Sequence, residues 1–366
     1  MMIFYLSIIS FSSIISILYN LFFKYPFIRI TVYVLSALIL VLPLSLRGMG
    51  VDYSNYTLMY DKVSLFSWNE YWDDYPGTPE PLYVLLNYIA FWIFDDYQGV
   101  NILCACISIF FSYMGMYKFR DYINIGVSVW SFCFIIYLMM YGLNRMMIAV
   151  SIIMYAYDYF LNGNTKKMIK WSLIAGGFHY SALLIIPFSY LLKKMRGSES
   201  FINLRRIKAF TGIIIIFISI YTIVPIIFSS LPMFARYQMY FNFSFEPAAL
   251  NNNWMTYPAI LMVCFFSKYY YRNFDQYNSI LNAIFIFVIL AILSTIMPVH
   301  RLCYYFYPAV ILIYGAFSRM VKANDMIILT AYFSILLFIG ILSIYVYTVY
   351  NQLWAPFITP YQMGNF

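Results

Sequence analysis

Apolar runs long enough to cross a lipid bilayer recur along the whole chain, and this pattern constrains the fold more than any other feature. Of the 366 residues, 64% are hydrophobic and only 10% are charged. In soluble domains about a quarter of the residues are charged. The composition therefore excludes a soluble enzyme, and it predicts an all-α, polytopic transmembrane bundle that forms a single domain over residues 1–366.

Ten apolar blocks have the length of membrane-spanning helices, which need about 20 residues. They cover residues 2–23, 27–46, 99–117, 125–143, 145–161, 209–229, 254–271, 277–297, 302–318 and 325–348. Two further blocks, 81–94 and 168–192, are short or interrupted by glycines, so each is expected either to cross or to turn back. Non-helical backbone at membrane depth is tolerated where protein or water covers it. We therefore expect 10 to 12 spans, with one or two broken or re-entrant helices.

The basic residues decide between these arrangements, because Lys and Arg collect in the cytoplasmic loops of membrane proteins. If both interrupted blocks turn back, 17 of the 22 basic residues lie on one side, whereas 13 do if both cross. This favours ten full spans with extracytoplasmic termini and long outer loops at 47–80 and 230–252. The net charge of +8 is scattered between apolar segments, so it indicates membrane topology and no nucleic-acid partner.

Arginines dominate the basic residues left on the outer side, and this favours an anionic ligand. The four are Arg47, Arg145, Arg236 and Arg301, each at or near the end of a span. A guanidinium at membrane depth is costly unless it is paired, and its planar fork fits phosphate and carboxylate oxygens. Interface anchoring remains the alternative for each arginine alone, but lysine would serve that role equally well.

Histidines and carboxylates near the same outer ends are candidate acid–base groups. His179 stands between small residues where the chain is expected to turn back, so it is a candidate to take a proton from a hydroxyl group. A packed core histidine is the alternative. His300, beside Arg301, is expected to support the site. Asp52 and Glu80 are alternative general bases, and either can instead pair with an arginine.

Aromatic residues are unusually common and include 39 tyrosines. Tyrosine and tryptophan favour membrane interfaces, but their rings also stack on sugars while their hydroxyls bond to sugar oxygens. Tyr53, Tyr56, Tyr83 and Tyr237 are the candidate substrate-binding tyrosines. Neither the dispersed cysteines nor the adjacent acid pairs have the spacing of metal ligands, so no metal and no cofactor are expected.

Four motifs follow one another in an order that resembles a known family. Arg-Gly-x-Gly-x-Asp-Tyr-x-x-Tyr begins at Arg47, Glu-x-x-Tyr at Glu80, Arg-x-x-x-Ala at Arg145, and Phe-His-x-Ser-Ala at Phe178. The chain is similar to the EpsG family of bacterial membrane proteins, which belongs with the Wzy-type O-antigen and capsular polysaccharide polymerases. The similarity is clearest over residues 45–190, and Met49 to Asp52 departs from it because the family often has Thr before the Asp.

The resemblance implies a multi-span, GT-C-like glycosyltransferase of the bacterial inner membrane, with its active site facing the periplasm. Such an enzyme moves a growing glycan from undecaprenyl pyrophosphate onto a sugar hydroxyl of a lipid-linked oligosaccharide repeat unit, with inversion and without a metal. Arg47, Arg145 and Arg301 are then expected to hold the pyrophosphate, with Arg236 also binding substrate. Membrane lipid and a chain-length-regulating co-polymerase are the expected partners in lipopolysaccharide or capsule synthesis.

Three other functions fit parts of the pattern. An O-antigen ligase of the same fold would use the same arginines and histidine, and only its products differ. A lipid-linked oligosaccharide flippase or transporter is expected to carry internal repeats and mid-membrane charges, whereas the ionisable residues here gather at the outer ends of spans. A membrane O-acetyltransferase should have cofactor-binding residues facing the cytoplasm, where this chain offers scattered basic residues.

Overall fold

A computed structural model describes most of the chain. The described residues are 2–22, 24–74, 80–196, six single positions between 208 and 219, 275–294, 300–320 and 326–350. They form helices and turns, and these ranges contain no β-strand. The predicted outer loop 230–252, the predicted span 254–271 and most of the predicted span 209–229 lie outside them.

The helices follow the apolar blocks predicted from the sequence, except for two in the predicted outer loop 47–80. They are α1 (Met2–Leu21), α2 (Pro26–Ser45), α3 (Tyr53–Leu65), α4 (Trp68–Asp74), α5 (Pro81–Phe94), α6 (Tyr97–Lys118), α7 (Ile125–Ile135), α8 (Asn144–Leu161), α9 (Thr165–Gly176), α10 (Ile185–Met195), α11 (Asp275–Leu293), α12 (His300–Cys303), α13 (Tyr307–Met320) and α14 (Met326–Tyr345). Short 3₁₀ turns at Tyr137–Tyr141, Tyr180–Leu184 and Tyr304–Phe306 interrupt the predicted spans 125–143, 168–192 and 302–318.

Four described helical stretches are long and apolar enough to cross a membrane, which confirms an all-α polytopic membrane protein. They are Met2–Leu21, Pro26–Ser45, Tyr97–Lys118 and Ile328–Val349. Shorter apolar helices cover Pro81–Phe94, Ile125–Ile135 and Tyr277–Leu293. The total of 10 to 12 spans stays a prediction.

The helices divide into a buried centre and a lipid-facing periphery. Every residue of α7 is buried, and so are most residues of α8. In contrast, α1 and α2 expose large apolar side chains such as Ile3 and Phe27. A helix that is apolar on all sides belongs in the interior, so α7 and α8 form the scaffold on which the other helices pack.

Helices α9 and α10 form a hairpin that turns back inside the bundle. At its open end, Gly163 adopts the left-handed conformation (φ 66°), and the Arg196 guanidinium donates to the carbonyl of Asn162. At its tip the chain reverses through His179 and the following 3₁₀ turn. Both ends of this segment therefore lie together, which confirms the prediction that the helix in block 168–192 breaks and turns back.

Helices α6 and α8 run parallel to each other, and the two ends of the pair carry different chemistry. Ser112 Oγ donates to Ser151 Oγ over 3.0 Å near the middle of the pair. At one end Lys118 Nζ donates to the carbonyl of Tyr155. At the other end both helices contact Arg47, as described below. The helices thus separate a lysine-bearing end from an arginine-bearing end.

The segment predicted as an outer loop at 47–80 is largely helical. Tyr56, Tyr60 and Val63 recur at the spacing of one helix face, and all three are buried. This periodicity was present in the sequence, but the acidic residues of the segment made it resemble a loop. Helix α3 consequently brings a tyrosine-lined face against α5 and α6.

Candidate functional site

Glu80, Arg145 and His179 meet in one buried cluster. Glu80 Oε2 accepts a hydrogen bond from the Arg145 guanidinium at 2.8 Å. Its other oxygen, Oε1, lies 2.8 Å from His179 Nδ1 and accepts a longer bond from the backbone N–H of Tyr180, at 3.3 Å. The side chain of Glu80 is fully buried, while that of Arg145 is 20% exposed. One buried carboxylate therefore holds both the Arg145 guanidinium and the His179 ring at fixed positions.

Local sequence places Glu80 at the start of α5. It precedes Pro81, and a residue before proline is pushed towards extended backbone; its φ of −62° and ψ of 141° agree. Pro81 at the first helical position needs no N–H partner. The carbonyl of Glu80 accepts from the N–H groups of Tyr83 and Val84, so its backbone begins the helix while its side chain is left to bind Arg145 and His179.

Close backbone contact brings the tip of the α9–α10 hairpin to Glu80. The N–H of Leu82 donates to the carbonyl of Gly177 over 2.8 Å. A Cβ atom on Gly177 would lie only 2.6 Å from the Leu82 side chain. The absence of a side chain at Gly177 therefore allows the two backbones to approach each other. This gives a structural role to the glycines that precede His179 in the sequence. Gly176 is similarly close to Leu183, at 2.7 Å.

Tyrosine rings flank Arg145 on the side of α3 and α5. The guanidinium carbon lies 5.7 Å from the ring centre of Tyr56 and 5.8 Å from that of Tyr83. Both distances fall within the range of cation–π attraction. Arg145 also stands in the first turn of α8, where unpaired backbone N–H groups add positive potential. The partly exposed guanidinium thus faces an aromatic, electropositive environment.

The contact with Glu80 determines which nitrogen of His179 is available for chemistry. A carboxylate paired with a guanidinium is ionised, so it only accepts hydrogen bonds. His179 Nδ1 is then the donor, and the neutral ring carries its lone pair on Nε2. The hydrogen bonds between described residues use Nδ1 and leave Nε2 for a ligand. This arrangement can accept a proton at Nε2 while Glu80 holds the ring.

Residues near the C-terminal part of the chain approach the same cluster. The positive charge of Arg301 acts on His179, as does that of Arg145. Ser181 Oγ, just beyond the hairpin tip, lies 2.8 Å from the hydroxyl of Tyr305. The turn after α12 is therefore joined to the hairpin, and α12, which includes Arg301, packs against the 3₁₀ turn that follows His179.

Arg47 lies in a separate, closed environment. It is 3% exposed, and its guanidinium donates to the carbonyl of Met140 at 2.7 Å and to the side-chain oxygens of Asn144 and Asn101. The cavity beside it has no room for a water-sized molecule. Arg47 was expected to hold pyrophosphate together with Arg145 and Arg301, but these contacts enclose its guanidinium among neutral oxygens.

The remaining sequence candidates have varied positions. Asp52 precedes α3 and accepts from the N–H of Tyr56 through its backbone carbonyl, while the described contacts do not join its carboxylate to Glu80. The ring of Tyr53 makes an edge-to-face contact with that of Tyr97, with ring centres 5.0 Å apart. The side chain of His300 is outside the described residues, as are two whole residues, Arg236 and Tyr237.

Sequence reasoning missed several polar residues that hold the site together. They are Asn101, Asn144, Tyr180 and Tyr305. The sequence contained a signal for Asn144, because it is an amide between two apolar runs, immediately before Arg145. In the structure its side chain is buried. Tyr180 acts through its backbone N–H, which no sequence pattern reveals. Among the described residues, no group of three or more His, Cys, Asp or Glu side chains is close enough to hold a metal.

An open groove of about 600 Å³ lies away from this cluster. Its walls come from the end of α3, the start of α4 and one face of α5, and they include Trp68, Tyr88 and Trp92. Neither Glu80 nor His179 lines it. The groove is therefore a feature of the outer segment, distinct from the carboxylate-centred cluster.

The fold and the cluster define a class: a polytopic α-helical membrane protein with a carboxylate, a guanidinium and an imidazole joined inside the bundle. The chain belongs to the EpsG family, whose sequence model matches residues 30–363, nearly its whole length. The EpsG family is a Wzy-like polymerase family, so the chain is assigned a polysaccharide polymerase-like, glycosyltransferase-like function in polysaccharide biosynthesis. No curated protein and no solved structure matches the chain.

Proposed function

We propose that this protein is a polysaccharide polymerase that acts on lipid-linked repeat units. It transfers a growing glycan from undecaprenyl pyrophosphate to a sugar hydroxyl of a second lipid-linked repeat unit. The observation that carries the proposal is the contact of Glu80 with both Arg145 and His179. This contact places a proton acceptor near a cation inside a membrane bundle, and glycosyl transfer from a diphosphate needs both groups.

His179 is the proposed general base. Its Nε2 takes the proton of the attacking hydroxyl as that oxygen forms a bond to the anomeric carbon C1. The bond between C1 and the pyrophosphate oxygen breaks, and the lipid pyrophosphate leaves with the electron pair. Attack from the opposite face inverts the anomeric centre. Glu80 keeps Nδ1 protonated and stabilises the imidazolium that forms.

Arg145 and Arg301 are the proposed pyrophosphate-binding residues. Negative charge grows on the leaving phosphate oxygen, and prearranged cations stabilise such charge strongly in a site that excludes water. Arg145 has the geometry for this because its side chain is partly exposed while Glu80 holds it. Arg301 adds a second positive charge that also acts on His179. The buried carboxylate of Glu80 keeps the Arg145 guanidinium in position.

The proposed substrate also implies where the protein acts in the cell. Undecaprenyl-linked repeat units are polymerised at the bacterial inner membrane, with the cluster facing the periplasm. The apolar helices and the family support a membrane protein of polysaccharide synthesis. The O-antigen or capsule product, a chain-length-regulating co-polymerase and metal independence belong to the proposal.

The decisive experiment reconstitutes the purified protein in lipid nanodiscs with synthetic undecaprenyl-pyrophosphate repeat units. We expect a ladder of products that grows by one repeat unit per step, at the same rate with and without EDTA. Arg145→Ala and His179→Ala proteins are the matched negative controls. A protein that forms no glycosidic bond from these substrates would contradict the proposal, and a loss of activity in EDTA would contradict metal independence alone.

The products also separate a polymerase from a ligase of the same fold. A polymerase extends one lipid-linked glycan by another, so a deletion strain should carry single repeat units on its surface. A ligase passes the finished glycan to a different acceptor, so its deletion strain should accumulate long lipid-linked glycan instead. The second pattern would move the assignment to the ligase.

A further inference from the structure

We propose that Arg47 is a positioning residue that fixes the start of α8 and thereby sets the location of Arg145. The inference rests on the proposed function, because its consequence is measured on the reaction in which Arg145 takes part. It assigns Arg47 a role that differs from direct pyrophosphate binding. The argument comes from the acceptors of its guanidinium, from its enclosure and from a second contact made by the same segment.

The bonds from Arg47 bracket the connection that leads into α8. One nitrogen donates to the carbonyl of Met140, in the 3₁₀ turn that precedes the helix. The other donates to the side chain of Asn144, the first residue of α8. Arg145 is the next residue. Fixing both sides of this three-residue connection restricts the position and the rotation of the helix start, and with it the direction of the Arg145 side chain.

The same segment makes a second contact with this connection. Gly50 is so close to the carbonyl of Tyr141 that an added Cβ atom would overlap the carbonyl oxygen. The guanidinium carbon of Arg47 also lies 5.6 Å from the Tyr141 ring centre. The Arg-Gly-x-Gly motif therefore packs against the 3₁₀ turn at two points, and both its arginine and its second glycine acquire a structural role.

Enclosure argues against a ligand on Arg47. The residue is 3% exposed, and the adjoining cavity does not admit a water-sized molecule. Its hydrogen-bond acceptors among the described residues are neutral oxygens of Met140, Asn101 and Asn144. A buried cation opposite neutral oxygens is costly. We expect such a residue where the geometry that it imposes is needed. Here Arg47 fixes the start of α8, and this sets the position of Arg145.

The test compares Arg47→Met, Asn144→Leu and the double variant in the reconstituted polymerase, with Asn144→Asp as the conservative change. If Arg47 acts through Asn144, each single variant should lower kcat by about 10- to 100-fold, because a displacement of about 1 Å has effects of this size. KM for the lipid-pyrophosphate donor should change less than kcat. The double variant should be no worse than either single variant, since all three remove the same link. Asn144→Asp keeps an acceptor for Arg47 and should retain activity.

Other results would overturn the inference. If Arg47 bound pyrophosphate directly, Arg47→Met would raise KM for the donor, Asn144→Leu would stay active and the two effects would add. A buried asparagine elsewhere, Asn282 on α11, provides the matched control for the loss of a buried amide. Asn282→Leu should polymerise normally when correctly folded.

The same data separate this inference from the proposed function. If Arg145→Ala and His179→Ala make normal polymer, the proposed function is wrong. If those two proteins are inactive while Arg47→Met polymerises at the normal rate, the function stands and only the positioning role is wrong.

Discussion

Helix α8 holds cations at its two ends in opposite ways. At its start, Arg145 donates to the fully buried carboxylate of Glu80. At its end, Lys118 from α6 donates to the carbonyl of Tyr155, and its ammonium lies 3.5 Å from the centre of that tyrosine ring. Lys118 is half-buried and has no carboxylate within ion-pair distance among the described residues.

In the proposed function, this difference distinguishes a cation that sets membrane topology from one that takes part in the reaction. An ammonium over aromatic rings at a membrane interface keeps its charge near water and can be replaced at small cost. A buried carboxylate–guanidinium pair loses hydration on both sides, and its attraction only offsets that loss when the geometry is good. Such a pair is therefore expected where its fixed geometry is used. The following predictions test this contrast.

Removing either side chain that Glu80 holds should have the largest effect. We expect Arg145→Ala and His179→Ala each to abolish long-chain polymer, since general-base catalysis alone contributes about 100- to 10,000-fold. Polymer ladders from complemented cells give the readout, and immunoblots show that the protein level is unchanged. Normal ladders from both variants would remove the cluster from the mechanism.

Neutralising the shared carboxylate should have the next largest effect. Glu80→Gln leaves Arg145 without its counter-charge, which should destabilise the fold by about 3 kcal/mol and lower the polymerisation rate at least tenfold. Thermal unfolding in nanodiscs and the initial rate are the measurements. Glu70→Gln is the matched control, because Glu70 is exposed and its carboxylate accepts from the N–H of Ser67. Equal behaviour of the two variants would show that burial of Glu80 is irrelevant.

Opening the contact at the hairpin tip should have an intermediate effect. In Gly177→Ala the added methyl group meets Leu82 at 2.6 Å, and overpacking of this kind costs about 1–3 kcal/mol. We expect a lower melting temperature together with a reduced rate, since His179 moves away from Glu80. Gly212→Ala is the control, because its methyl group would lie at an ordinary 3.4 Å from Leu191. An unchanged rate in Gly177→Ala would show that the packing of the hairpin tip against Leu82 does not affect catalysis.

Substitution at the lysine-bearing end should have the smallest effect. Lys118→Gln loses a partly exposed cation–π contact, which is worth about 0.5–1 kcal/mol. The polymerisation rate per folded molecule should stay within about twofold of the parent, because the lost contact is of this small size. A tenfold loss would mean that the two ends of α8 do not differ as proposed.

Much of the fold was predictable because it depends on local composition. The first two predicted spans, 2–23 and 27–46, became Met2–Leu21 and Pro26–Ser45. The glycines before His179 predicted a broken helix, and the chain reverses there. The outer segment was harder, because its acidic residues masked the helical spacing of Tyr56, Tyr60 and Val63.

The candidate site was predictable as a set of residues and only partly as an arrangement. Glu80 was recognised as either a base or an arginine partner, and in the structure its carboxylate contacts both Arg145 and His179. Arg47 and Arg145 appeared equivalent, since both are arginines near the ends of spans. Their surroundings differ because one guanidinium is enclosed by Met140 and the asparagines, while the other faces a carboxylate.

The sequence by itself thus determined that this is a membrane protein. It also determined the position of most described helices and the point where one of them breaks. Transfer of apolar side chains out of water and the satisfaction of backbone hydrogen bonds depend on short stretches of sequence. Only the tertiary structure decided which side chains contact the buried carboxylate of Glu80. Those partners lie 65 and 99 residues from Glu80 along the chain, and their meeting depends on how the α9–α10 hairpin packs against α5 and α8.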